Sequence, residues 1–151
     1  MRRLKSLSCA LVVLLPLTAG CVQTQVTRLH PEQSYPKICP EGVALFTSAD
    51  KVGQPYVEVA VLSSTGDQNY TSQAGMYNSQ RKKAAEIGAN GIVLGQTRDA
   101  GTGAVVAQAL IGTPANRRGQ ATAIYIASDS ARVRTACAGH PTSYRRVCRR
   151  S

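Results

Sequence analysis

RKKAAEIGANGIVLGQT, residues 81–97, holds the end of one element, a turn and the start of another. Extended back to Thr71, the stretch puts Met76, Gln80, Ala84 and Ile87 on one side of a helix, with Tyr77 and Ala85 near its edges. Gly88 can take the positive φ that closes a helix, and Asn90-Gly91 tolerates the tight turn after it. The β-branched run GIVLGQT, 91–97, then reads as a strand. Arg81, Lys82 and Lys83 are expected on the solvated side of the helix, an anion site being the alternative.

Working outward, YVEVAVLS (56–63) alternates Val57, Val59 and Val61 with Tyr56, Glu58 and Ala60, so its period is two and Glu58 marks the wetter face. GVALFTS (42–48) suits a short strand, ADKVGQP a turn and STGDQN a break. ATAIYIAS (121–128) is a further strand, with Thr122, Ile124 and Ile126 on one face and Ala123 and Tyr125 on the other. Between the last two strands, Ala104–Ile111 has seven apolar residues in eight. It is expected to be an extra strand or short helix buried on the sheet, an exposed flap being the alternative. One helix must then cover one face of a sheet of about four strands. The expected fold class is α+β, a two-layer domain over 42–129.

The ends carry a different kind of information. Residues 1–20 have Arg2, Arg3 and Lys5 in front, an uncharged apolar stretch and small residues at the close, the layout of a secretory signal. The apolar part spans only about 20 Å as a helix against the ~30 Å of a bilayer core, and Pro16 interrupts it. LTAGC (17–21) resembles the bacterial lipobox, which implies cleavage after Gly20 and lipidation of Cys21. An ordinary cleaved signal and an uncut anchor are the alternatives. Residues 21–41, polar and carrying His30, Pro31 and Pro36, are expected to be a tether.

Charge is concentrated at the C-terminus. Of the +10 on the 151-residue chain, three charges belong to residues 1–20, while 22–129 hold nine Lys or Arg against eight acids. Residues 130–151 hold six arginines, Arg132, Arg134, Arg145, Arg146, Arg149 and Arg150, and no acid. This basic tail is read either as a solvated end or as a binder of anionic lipid or cell-wall polymer. Nucleic acid is not expected as a partner outside the cytoplasm. Cys39, Cys137 and Cys148 remain after the signal and the lipid site, in an oxidising compartment where disulfides persist. Cys137 to Cys148 closes the shortest loop, whereas Cys39 to either would pin the tail to the start of the domain. A metal site from Cys137, His140 and Cys148, with Cys39 added, is the rival reading, but Cys-x₂-His-x₇-Cys matches no strong zinc pattern.

RKKAAEIGANGIVLGQT and the later ATAIYI together resemble small bacterial envelope proteins, among them the Rcs-type stress-sensing outer-membrane lipoproteins and the YbjQ-like family of proposed metal binders. The resemblance covers roughly Gly42 to Ser128 and implies the fold and an envelope location. In Rcs-type sensors, disulfides brace the strand after the helix. GIVLGQT has no cysteine, so neither that bracing nor the signalling role carries over.

No catalytic constellation is present: the two histidines lie outside 42–129, the acids are scattered, and Gly101-Thr-Gly103 lacks the Gly-Lys-Ser/Thr of a phosphate loop. No cofactor is expected and an enzyme is not. The expected function is a lipid-anchored binding or stress-sensing module of the bacterial envelope, on the outer membrane facing the periplasm, with an envelope protein as partner. A periplasmic metal binder and a purely structural lipoprotein are the alternatives.

Overall fold

A computed structural model describes residues 22–139. Cys21, His140, Cys148, Arg145, Arg146, Arg149 and Arg150 lie outside the described residues. The chain order is β1 (Gln23–Arg28), β2 (Ala44–Phe46), β3 (Val57–Asp67), α1 (Gln73–Glu86), β4 (Gly91–Arg98), α2 (Thr102–Ile111), β5 (Asn116–Tyr125) and α3 (Ser130–Cys137), with short 3₁₀ turns at Pro40–Gly42, Ala49–Lys51 and Ala127–Asp129. The strands form one mixed sheet in the order β1-β3-β5-β4-β2, antiparallel except for the β2–β4 pair. The class is α+β as expected; among the described residues the sheet has five strands rather than about four, and two further helices accompany the one main helix.

Helix α1 forms where the 3.6-residue period placed it. The Ser72 hydroxyl caps it by accepting from the Gly75 N–H at 3.0 Å. Met76, Gln80, Ala84 and Ala85 are its buried side, and Gly88 at φ 79° reverses the chain behind it. A side chain at Gly88 would also collide with Tyr35, 2.5 Å from the added Cβ. The small side chains of Ala84 and Ala85 let α1 settle on Ala60, Leu62, Ile92, Ala121 and Ala123, which form the main core.

The extra strand comes from the stretch read as a tether. In β1, Thr24 and Val26 face the helix layer while Gln23, Gln25 and Thr27 are exposed. Two β-branched inward residues suffice because β1 is an edge strand, paired only with β3. The Thr24 hydroxyl reaches Ser64 at 2.9 Å and Ser79 of α1 at 2.7 Å. Further on, Tyr35 stacks on Tyr125 with ring centroids 4.2 Å apart, and the Ile38 N–H donates to Ala85 at 3.1 Å. Residues 22–41 are part of the domain.

The alternation in β3 also changes phase. A register shift between Glu58 and Ala60 sends Ala60, Leu62 and Ser64 toward α1, leaving Val57 exposed and Val61 half-buried on the other face. STGDQN does not break this strand, which runs on to Asp67. Among the described residues, the face away from α1 is covered only at one end, where Val52 packs with Ile124, Ile126, Phe46, Tyr56 and Val93.

Ala104–Ile111 also differs from the expectation. It is a helix, as one branch of the expectation had it, but it is not buried on the sheet: no residue of α2 is buried, and Leu110 and Ile111 are 78% and 74% exposed.

Candidate functional site

The two ends of the sheet differ in construction. One end gathers the starts of β2, β3 and β4 and the ends of β1 and β5; the other gathers the opposite termini of the long strands.

The first end is fastened by covalent and polar ties. Cys39, just ahead of the Pro40–Gly42 turn, is bridged to Cys137 of α3, with Cα atoms 5.7 Å apart. Gly42 lies beneath the bridge; a Cβ there would stand 3.1 Å from the Cys137 sulfur. Asn90 is buried and fully used: its amide donates to the Ile126 carbonyl and its carbonyl accepts from the Ile126 N–H, both at 2.8 Å. The side chain thus continues the β4–β5 ladder one step beyond its backbone. The Arg132 guanidinium donates to the carbonyls of Gly42 at 3.1 Å and Asn90 at 3.0 Å and pairs with Asp129.

These ties decide several expectations drawn from the sequence. Cys39 to Cys137 is the bridge formed, rather than the shorter Cys137–Cys148 loop. Because a disulfide sulfur is not a thiolate, the bridge removes two of the four donors of the metal reading; the other two, His140 and Cys148, lie outside the described residues. Arg132, counted among the anion-binding arginines, is spent on backbone carbonyls of its own domain. Arg134 is exposed. What was read as a tail from residue 130 begins as helix α3, held to the domain.

The opposite end is open. Between Leu94 and Thr97 the register of β4 against β5 shifts, which brings the Gly95 backbone against the Gln120 carbonyl; a Cβ at Gly95 would sit 2.7 Å from that oxygen. Past the shift, Arg98 pairs directly with Arg118. Together with Gln96, Gly119 and Gln120 they line an open cavity of about 280 Å³. Arg98 donates to the Gln96 side-chain carbonyl at 3.2 Å, while the adjacent Arg117 is taken up by Asp99 and by the Thr71 carbonyl. Two like charges facing each other across a ladder destabilise it slightly, and no carboxylate lines the cavity. Two guanidiniums and two carboxamides can hold an anion, since they supply donors in fixed forks. They provide neither nucleophile nor base. The pairing was not visible in the sequence, because it depends on the shift within β4 and on a partner strand 20 residues away.

At the same end α2 stands out from the domain. Its Gln108 amide donates to the Asp67 carboxylate at 2.9 Å, and Asn69 donates to the Gln108 carbonyl at 3.1 Å. Apart from Gln108 and Ala107, the residues of α2 are exposed.

No protein-family model matches the chain, and no curated protein matches it. Among solved structures, the crystal structure of the Francisella virulence factor FvfA aligns with a TM-score of 0.46 and 10% identity, covering 68% of this chain and 96% of that one. The resemblance to Rcs-type sensors and YbjQ-like proteins rests on the quoted residues alone.

Proposed function

We propose that this protein is a lipid-anchored, non-catalytic lipoprotein of a bacterial envelope whose α+β domain binds an envelope partner or senses a state of the envelope. The observation that carries the reading is the position of Cys21. The apolar run ends on it, and β1 begins only two residues later at Gln23. Two residues span at most about 7 Å, so an acyl group on Cys21 would hold the domain against the bilayer surface with no intervening tether. A binding role rather than a chemical one is supported by the lining of the Arg98–Arg118 cavity, which offers donors for an anion and no proton-relay group.

Helix α3 lies at the other end of the sheet from Gln23. The eleven residues of β3 separate the ends by about 35 Å. The arginines that follow α3 in the sequence are taken to bind an anionic lipid or cell-wall polymer of the envelope. The Cys21→Ser variant tests the anchor: it should leave the membrane fraction for the soluble one. Retention equal to that of the native protein contradicts the proposal. Crosslinking on cells followed by capture should then enrich one envelope protein with the native chain and not with the soluble variant.

A further inference from the structure

Helix α2 inverts the usual rule for a surface helix, in which apolar residues face the protein and polar ones face water. Between Gly103 and Ile111 its one polar side chain, Gln108, is turned to the domain, where it bonds Asp67 and Asn69. Val106 and Leu110, on the opposite side of the helix from Gln108, are 50% and 78% exposed, and Ile111 at the end of the helix is 74% exposed. No charge occurs from residue 100 to residue 116; Arg98 and Asp99 precede the segment and Arg117 and Arg118 follow it, Arg117 being paired with Asp99.

The position of this helix says what covers it. Asp67, which holds α2, ends β3, and Thr65, two residues earlier, pairs with Gln23 at the start of β1. Cys21 precedes Gln23 by two residues. The attachment point of the acyl group and the root of the exposed helix are therefore each about 7 Å of backbone from one strand pair. Arg98 and Arg118 lie at that same end, and so does Tyr70, 77% exposed in the turn after β3, an aromatic of the kind that sits at headgroup level.

We propose that this end of the domain is a membrane-docking surface: α2 lies in the headgroup region of the leaflet holding the Cys21 lipid, with Arg98 and Arg118 set against anionic phosphates. The proposal rests on the lipid anchor proposed above. A helix with its apolar side out inserts about 5–10 Å, and neighbouring basic residues add attraction to anionic lipid. Anchor and helix then fix the orientation of the domain, presenting the disulfide end and α3 away from the bilayer.

The chain has no tryptophan, so one introduced residue is a unique reporter. The full lipidated protein carrying Leu110→Trp is reconstituted into phosphatidylethanolamine–phosphatidylglycerol vesicles with brominated acyl chains, alongside Ala131→Trp on α3 at the opposite end. The expected result is a blue-shifted Leu110→Trp emission that is quenched by the bromines, as insertion at the headgroup/acyl boundary requires, with Ala131→Trp unaffected. An aqueous, unquenched emission from Leu110→Trp in protein that still floats with the vesicles overturns the docking surface and leaves the anchor standing. Equal quenching of both reporters overturns the orientation. Loss of flotation overturns the anchor and the docking surface together.

Discussion

The fastened and open ends of the sheet are built from the same strands yet solve opposite problems. At the Cys39–Cys137 end the polar groups that tie the elements together are satisfied within the domain: Asn90 completes the ladder with Ile126, and Arg132 joins the carbonyls of Gly42 and Asn90. At the α2 end two arginines face each other without a carboxylate between them, and the most apolar helix of the domain is the most exposed. A domain organised only for stability would bury the second end as it does the first. The contrast fits a module that is braced at one end so that the other can be offered to an external surface.

The largest test of the contrast is to cut the brace. The bridge spans a sequence separation of 98 residues, and on the chain-entropy model such a closure contributes about 4–5 kcal/mol. The Cys39→Ser/Cys137→Ser double variant should melt more than about 10 °C below the native protein, and reductant should lower the native midpoint similarly. Midpoints that do not move would show that the bridge is not what holds this end.

Next in size is Asn90→Ala, which leaves the Ile126 N–H and carbonyl without their partners inside the domain. The expected cost is about 2–4 kcal/mol in denaturant unfolding, since each stranded buried group loses about 1–3 kcal/mol. An effect under about 0.5 kcal/mol, the level of an ordinary surface change, would mean that water replaces the amide.

At the open end, Gly95→Ala should cost about 1–3 kcal/mol, the range for overpacking, because its Cβ meets the Gln120 carbonyl at 2.7 Å. A crystal structure of this variant should show the shift in β4 altered and the Arg98–Arg118 cavity reshaped. Unchanged stability with an unchanged cavity contradicts the close approach.

The smallest effects sharpen the comparison most. Arg98→Gln and Arg118→Gln should leave stability unchanged or raise it by a few tenths of a kcal/mol, about the size of a like-charge cross-strand term. The Leu110→Asp/Ile111→Asp double variant should likewise stay within about 0.5 kcal/mol of native, as exposed sites do. If calorimetry instead finds either set clearly destabilising, those side chains support the fold and are not a surface held in reserve.

Which parts of this were legible in the sequence follows from how local each signal is. The helix over Gln73–Glu86, its close at Gly88 and the strand from Gly91 depend on neighbours within a few residues, and RKKAAEIGANGIVLGQT contains them. Strand β1 was missed because an edge strand needs only Thr24 and Val26 inward, too short an alternation to stand out among glutamines and threonines. In β3 the alternation places Val59 inward and Glu58 in solvent, as the structure has them, but Val61 falls on the other face because the shift after Glu58 depends on how β5 pairs with the strand. The open end was least legible. Hydrophobicity alone marked Ala104–Ile111 for burial, and only the placement of Gln108 against Asp67 shows that the apolar side turns outward. The Arg98–Arg118 pairing needs strand register, and the role of Arg132 needs two carbonyls distant in sequence; residue types alone contain neither.

The account depends on an acyl group at Cys21, and the intact mass of the protein extracted from membranes of its own cell reads this directly. The expected mass is that of a chain beginning at Cys21, increased by a diacylglyceryl group and reduced by two hydrogens for the Cys39–Cys137 bridge. A chain that begins at Cys21 without added lipid, or one that retains residues 1–20, contradicts it.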